Sequence, residues 1–174
     1  MRSLTRQELD ALLEVARRHD TRDWLMFSVT FCHGLRVSET LSLTRDNIQA
    51  GYLSVERLKG SKDVLHPLLD ERQALENLAE NLAATIDDRL FPMSRFQFYR
   101  KLQRYGREAG IPAAKCHPHA LKHTCGRLAY ESGVGIAEIQ NWLGHVNGAN
   151  TMIYMAATEE QAAAAFSKAF AADQ

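Results

Sequence analysis

The sequence predicts a mainly α domain with a small three-stranded antiparallel sheet, on three observations. Apolar residues recur at helical spacing through most of the chain, with capping residues ahead of the runs. One stretch near residue 50 changes to period two between glycine-marked turns. The 174 residues, 45% hydrophobic, suffice for one core of ordinary domain size.

"LTRQELDALLEVARRH" opens the chain as an amphipathic helix: Thr5 and Glu8 form a capping box, and Leu9, Leu12, Leu13 and Ala16 share a face. "DWLMFSVTFCHG" is more apolar, a buried helix that Gly34 ends in a left-handed cap. A short third helix is expected from Ser38 as N-cap, carrying Leu41 and Leu43. In "NIQAGYLSVERLKGSKDVLHPLL" the alternation of Leu53 and Val55, with turn chemistry at Ala50-Gly51 and Lys59-Gly60-Ser61, predicts three strands. Helices resume with "ERQALENLAENLAATI" and with "SRFQFYRKLQRYGREAG", the latter capped by Ser94 and Gln97 and closed by Gly110. "PHALKHTCGRLAYESG" starts at or just after Pro118. "GIAEIQNWLGH", a short segment carrying Tyr154, and a last helix from Thr158 complete the order.

Formal net charge is zero, which by itself argues against a polyanionic partner, but the charges are segregated. From Arg89 to Arg127 nine basic residues face one acid, Glu108, whereas the stretch from Asp70 to Asp88 is acidic. A polyanion can therefore meet one basic face. Cys32, Cys116 and Cys125 are odd in number and irregularly spaced, the pattern of reduced thiols rather than a disulfide framework. No apolar run reaches membrane-spanning length and the N-terminus lacks a signal peptide's apolar stretch, so a cytoplasmic location and no membrane partner are expected.

"CHPHALKHTCG" places His119 and His123 four residues apart on one helical face with Cys116, His117 and Cys125 close by, which raises the possibility of zinc. Lys122 in the same cluster, and the lack of a second ligand pair at a familiar spacing, argue against it, so no metal and no cofactor are expected.

Read together, "HGLRVSETLSL", "RLKGSKDVLHPL", "HALKHT" and "WLGHVNGANTMIYM" resemble the catalytic domain of the tyrosine recombinases, the family of bacteriophage integrases and Xer-type resolvases. That family carries a G-L-R-x-S-E box, a hairpin lysine, H-x-L-R-H, and L-G-H with a tyrosine nine residues after its histidine. Four blocks in order from Gly34 to Tyr154 make chance similarity improbable. The resemblance implies the tyrosine recombinase catalytic-domain fold and a DNA strand-exchange enzyme that needs no metal or nucleotide. Arg36, Lys122 and His145 would stabilise the charge growing on the scissile phosphate. His119 would serve as donor or general base toward the phenol, whose ordinary pKa near 10 leaves it protonated. Tyr154 would attack phosphorus to give a 3′-phosphotyrosyl link and a free 5′-hydroxyl, and Lys59 would protonate the leaving oxygen. The covalent link conserves the bond energy for a second strand.

Plainer readings stand beside these. Arg36 can simply pair with Glu39, Lys62 competes with Lys59, His145 can cap a helix, and Tyr154 can be a packed aromatic. Two residues depart from the pattern. Lys122 replaces the family's arginine and trades a bidentate fork for a point charge, and His33 replaces the usual threonine before the glycine. Arg95, Arg100, Lys101, Arg104 and Arg107 are the expected DNA contacts, Arg100, Arg104 and Arg107 forming a helical stripe while Phe96, Tyr99 and Leu102 pack inward. Partners implied by the resemblance are double-stranded DNA and other protomers in a tetrameric synapse, coupled through the C-terminal helix unless that helix folds back on its own core. Residues 1–174 read as one catalytic domain without the family's N-terminal DNA clamp. A DNA-binding regulatory module of the same fold, with turnover lost through Lys122, is the alternative.

Overall fold

The computed structural model describes residues 3–57, 63–82 and 88–145; Lys59, Lys62, Tyr154 and the helix expected from Thr158 lie outside them. Helix α1 (Arg6–His19) starts at Thr5, whose hydroxyl accepts the Glu8 amide (3.1 Å) while Glu8 accepts the Thr5 amide (2.7 Å), the expected capping box. Its Leu9, Leu12, Val15 and Ala16 are buried against α2 (Thr21–Cys32), which contributes Leu25, Met26, Phe27 and Val29 to the same core. Gly34 closes α2 at φ 57°, the left-handed region, and a Cβ there would lie 2.2 Å from a methyl of buried Leu143. Conformation and close approach both require glycine here.

Helix α3 (Val37–Leu41) begins two residues earlier than Ser38 would allow. Its N-cap is Arg36, because the Glu39 carboxylate reaches back to accept the Arg36 amide (2.7 Å) and so supplies the first turn's missing acceptor. Strands β1 (Ile48–Gln49), β2 (Tyr52–Val55) and β3 (Val64–Pro67) form an antiparallel sheet in sequence order. Ala50 (φ 50°) and Gly51 (φ 81°) make the two-residue turn between β1 and β2. The register pairs Leu53 with His66 and Val55 with Val64, so Leu53, Val55 and His66 face inward while Tyr52 and Leu65 are exposed.

Helix α4 (Arg72–Glu80) occupies the first part of the helix expected over 71–86; residues 83–87 lie outside the description. Helix α5 (Arg95–Glu108) has the Ser94–Gln97 capping box and buries Phe98, Leu102 and Tyr105. Helix α6 (Ala120–Glu131) follows Pro118, with His119 at its N-cap. Helix α7 (Ile136–Trp142) packs with α6 in a small second cluster of Cys125, Ile139 and Leu143. No helix among the described residues is long and apolar enough to cross a membrane.

Candidate active site

The end of α2, the start of α3, the end of β2, α6 and the end of α7 meet around one backbone carbonyl, that of Gly34. Arg36 leaves this point at the N-cap of α3. Its Nη1 donates to Glu39 Oε1 (2.7 Å), and its side chain keeps 22% exposure while that of Glu39 is fully buried. Burial pulls the Glu39 carboxyl upward. The bond from the Arg36 amide and the charge of Arg57 outweigh that and hold it below the ordinary carboxylate range. The Arg36–Glu39 pair anticipated as the plain reading is thus present, and it orients a partly exposed guanidinium.

Lys122, on the inward face of α6, is 5% exposed. Its Nζ donates to Gly34 O and to Leu143 O, both at 2.8 Å. Burial, followed by the charge of Arg57, pushes its pKa down to about 7. An ammonium has three N–H donors; two of these are committed to tying α2 to the end of α7. The substitution of lysine for arginine therefore has a structural counterpart: an inward tether at the position where the resemblance calls for a phosphate fork.

His145 follows α7 and the left-handed Gly144, and its amide donates to Gln140 O (2.9 Å). Burial, then the charges of Lys122, Arg36 and Arg57, depress its pKa to about 4, so at neutral pH it is an uncharged imidazole. His119 caps α6 and is exposed, with its pKa lowered by desolvation of part of the ring and by His117, Arg36, Lys122 and Arg95. The charges of Arg36 and Lys122 thus act on both His119 and His145, and that of Arg95 at the start of α5 acts on His119. Lys59 and Tyr154 lie outside the described residues; the described ends nearest them are Arg57 and His145.

Several buried groups of this site were not singled out from sequence. Arg57 has its guanidinium wholly enclosed and bonds Glu39 and the carbonyls of His33, Gly34 and Trp142. Its signal was the strand alternation: Leu53 and Val55 point inward, and so does Arg57 two residues on. His33, the unexplained departure, donates from Nε2 to Glu71 Oε1 (2.9 Å), and its Nδ1 shares a 3.2 Å bond with Nδ1 of His66. His66 stacks on Trp142 with ring centroids 3.8 Å apart, and the Trp142 indole donates to Cys32 O (2.9 Å). The His33 substitution is thus one half of a polar seam joining α2, β3, α4 and α7.

On α5, Arg95, Arg100, Arg104 and Arg107 are exposed, as expected. Phe96 and Tyr99 do not pack inward: Phe96 is 66% exposed, and the two aromatics line a groove of about 490 Å³ with Arg100, Gln103, Arg104 and Arg107. The Arg100 guanidinium lies 5.8 Å from the Phe96 ring centroid. Lys101, also expected to contact DNA, turns instead to pair with buried Asp23. His119 and His123 have ring centroids 6.1 Å apart, and among the described residues no group of three His, Cys, Asp or Glu side chains is placed to hold a metal ion.

The family model described as the phage integrase family matches residues 2–161. The type 1 fimbriae regulatory protein FimE of Escherichia coli (strain K12) is 34% identical over 170 residues, covering 89% of this chain and 85% of that protein. Tyrosine recombinase XerA of Pyrococcus furiosus is 35% identical over 170 residues, covering 90% of this chain and 58% of that protein. The XerH site-specific recombinase bound to its difH substrate in a pre-cleavage complex matches with a TM-score of 0.77 at 21% identity, covering 96% of this chain and 54% of that one, a likeness of fold alone. The chain thus spans most of FimE's length and a little over half that of the two Xer proteins.

Proposed function

The chain belongs to the phage integrase family, and from that premise we propose that it is a site-specific recombinase that cuts and rejoins DNA through a phosphotyrosine. The observation that carries this reading is that Lys122 bonds Gly34 O, two residues before Arg36, and that the charges of Lys122 and Arg36 both act on His119 and on His145, the histidine that precedes Tyr154 by nine residues in sequence.

In this reading the Tyr154 phenolic oxygen attacks phosphorus and the bond from phosphorus to the 5′-oxygen breaks. His119, neutral and exposed, takes the phenolic proton. Lys59, two residues beyond Arg57, gives a proton to the leaving 5′-oxygen. The partly exposed Arg36 guanidinium and the neutral His145 ring donate to the non-bridging oxygens. A 5′-hydroxyl from a second duplex reverses the same steps and restores the tyrosine. Double-stranded DNA is the partner this chemistry requires, with further protomers supplying the other active sites, as in a tetrameric synapse. The exposed arginines of α5, with Phe96 and Tyr99 among them, supply a basic surface for the duplex, and the charge of Arg95 on the same helix is felt at His119.

A regulatory DNA-binding role is the second reading, and one observation favours it: the Lys122 ammonium is committed to two backbone carbonyls. Covalent trapping separates the two. Wild type and Tyr154→Phe are incubated with nicked duplexes tiling the DNA on either side of the coding gene, denatured, and examined for a protease-sensitive, slow-migrating DNA species. The recombinase reading expects that species with wild type alone. Binding by both proteins with an adduct from neither would establish the regulatory reading instead.

A further inference from the structure

We infer that Arg57 is a positioning residue for the strand-cleavage step, holding Arg36 and the segment that carries His145 in one geometry. This rests on the recombinase reading above.

The inference begins with what a buried guanidinium needs. Taking Arg57 out of water is costly unless its N–H groups find acceptors. Here Nη1 donates to Gly34 O (3.1 Å) and Glu39 Oε2 (2.9 Å), and Nη2 donates to His33 O (3.0 Å) and Trp142 O (3.0 Å). These acceptors belong to three separate pieces of chain. His33 and Gly34 are the last residues before Leu35 and Arg36. Glu39 is the carboxylate that grips both the amide and the guanidinium of Arg36. Trp142 ends α7, three residues before His145. The arginine's own amide donates to Asp63 Oδ1 (2.8 Å), joining the two described ends of the β2–β3 connection, the stretch of sequence that includes Lys59. One side chain therefore ties the hairpin to both flanks of the proposed phosphate site.

Packing alone does not fix these pieces. Helix α7 is seven residues long, and its described apolar anchors are Ile139 and Leu143 in a small cluster apart from the main core. Its last carbonyls have no intrahelical donors. Arg57 takes that of Trp142 and Lys122 that of Leu143, and both cations also bond Gly34 O. Positive charge at a helix C-terminus is favourable in its own right. The Arg57 side chain is fully enclosed and offers no surface of its own to DNA. Any effect it has on cleavage must pass through Glu39 and Arg36, through Trp142 and the chain to His145, or through the hairpin strand that it ends.

The test measures DNA affinity and single-turnover cleavage at saturating DNA, on the same nicked duplexes, for wild type, Arg57→Met and Arg57→Lys. A misplacement relayed to reacting groups can cost about a hundredfold in rate. The expected result is a cleavage rate about a hundredfold lower for Arg57→Met and about tenfold lower for Arg57→Lys, whose single amine cannot span four acceptors, with affinities within about twofold of wild type. If Arg57→Met does not fold, Arg57→Lys decides alone. Unchanged cleavage at saturating DNA overturns the inference, and so does a loss confined to affinity and melting temperature. A wild type that makes no Tyr154-dependent adduct overturns the recombinase reading and this inference with it, a result distinct from active wild type with active variants.

Discussion

At the scale of single residues, the most consequential is Lys122. Its pKa, pushed down to about 7, means that the free protein carries the charge on only part of its molecules at neutral pH. If the ammonium contributes to binding the phosphate in the transition state, the cleavage rate at low DNA concentration falls as pH rises through about 7, because that rate reports the free enzyme. Lys122→Arg removes this limb, since a guanidinium stays charged throughout the accessible range. The pH profiles of the two proteins check this, and an alkaline limb that persists unchanged in Lys122→Arg assigns it elsewhere. The sequence made Arg36, His119, Lys122 and His145 legible because each sits in a block with its own spacing. It left Arg57, His33 and His66 unread for a physical reason. Strand alternation puts Arg57 on the inward side with Leu53 and Val55, but a charged residue there reads as the point where the strand turns out to water, and only the four acceptors around Arg57 and the Glu71 carboxylate beside His33 show that these groups are buried and paired.

At the scale of elements, capping was the most readable signal. Thr5–Glu8 and Ser94–Gln97 start α1 and α5 where their spacing places them. The face of α5 was harder. Phe96, Tyr99 and Leu102 follow one another at three-residue steps, yet Phe96 and Leu102 stand roughly 120° apart around a helix of 3.6 residues per turn. The buried stripe is Phe98, Leu102 and Tyr105, which leaves Phe96 and Tyr99 beside the arginines. The β1–β2 turn offers a stability test. Ala50 is exposed and held at φ 50°, a region costly for alanine and tolerated by asparagine. Ala50→Asn is expected to stabilise the protein by about 0.5–1 kcal/mol, read as a higher midpoint in chemical denaturation. A lower midpoint would mean that the turn's strain is not what limits the hairpin.

At the scale of the whole molecule, the seam between the sheet and α7 makes stability depend on pH. Burial, then the charges of His33, Arg57 and Lys122, lowers the His66 pKa from 6.5 to about 3. Burial likewise lowers His123 and His145 to about 4. In the unfolded chain these rings take up protons near pH 6.5, and in the fold they do so only well below it. Between those limits the unfolded state binds more protons, so the stability present above about pH 6.5 is lost as pH falls toward the folded values. For His66, 4% exposed, the loss is at most about 1.4 kcal/mol per pH unit. Glu39 and Glu71, both held below the ordinary carboxylate range, add to the acid sensitivity at still lower pH. Denaturation midpoints measured from neutral pH to about pH 5 should therefore decline for wild type. His66→Asn keeps a polar atom near the His33 nitrogen but gives up the stack on Trp142. It should be less stable at neutral pH and show a shallower decline with acid. Because the stack joins β3 to α7, the protonation that destabilises wild type should loosen that seam first. Amide exchange in α7 should then accelerate with acid before exchange in α1 and α2 does, and uniform acceleration across all three helices would show that His66 titrates only on global unfolding.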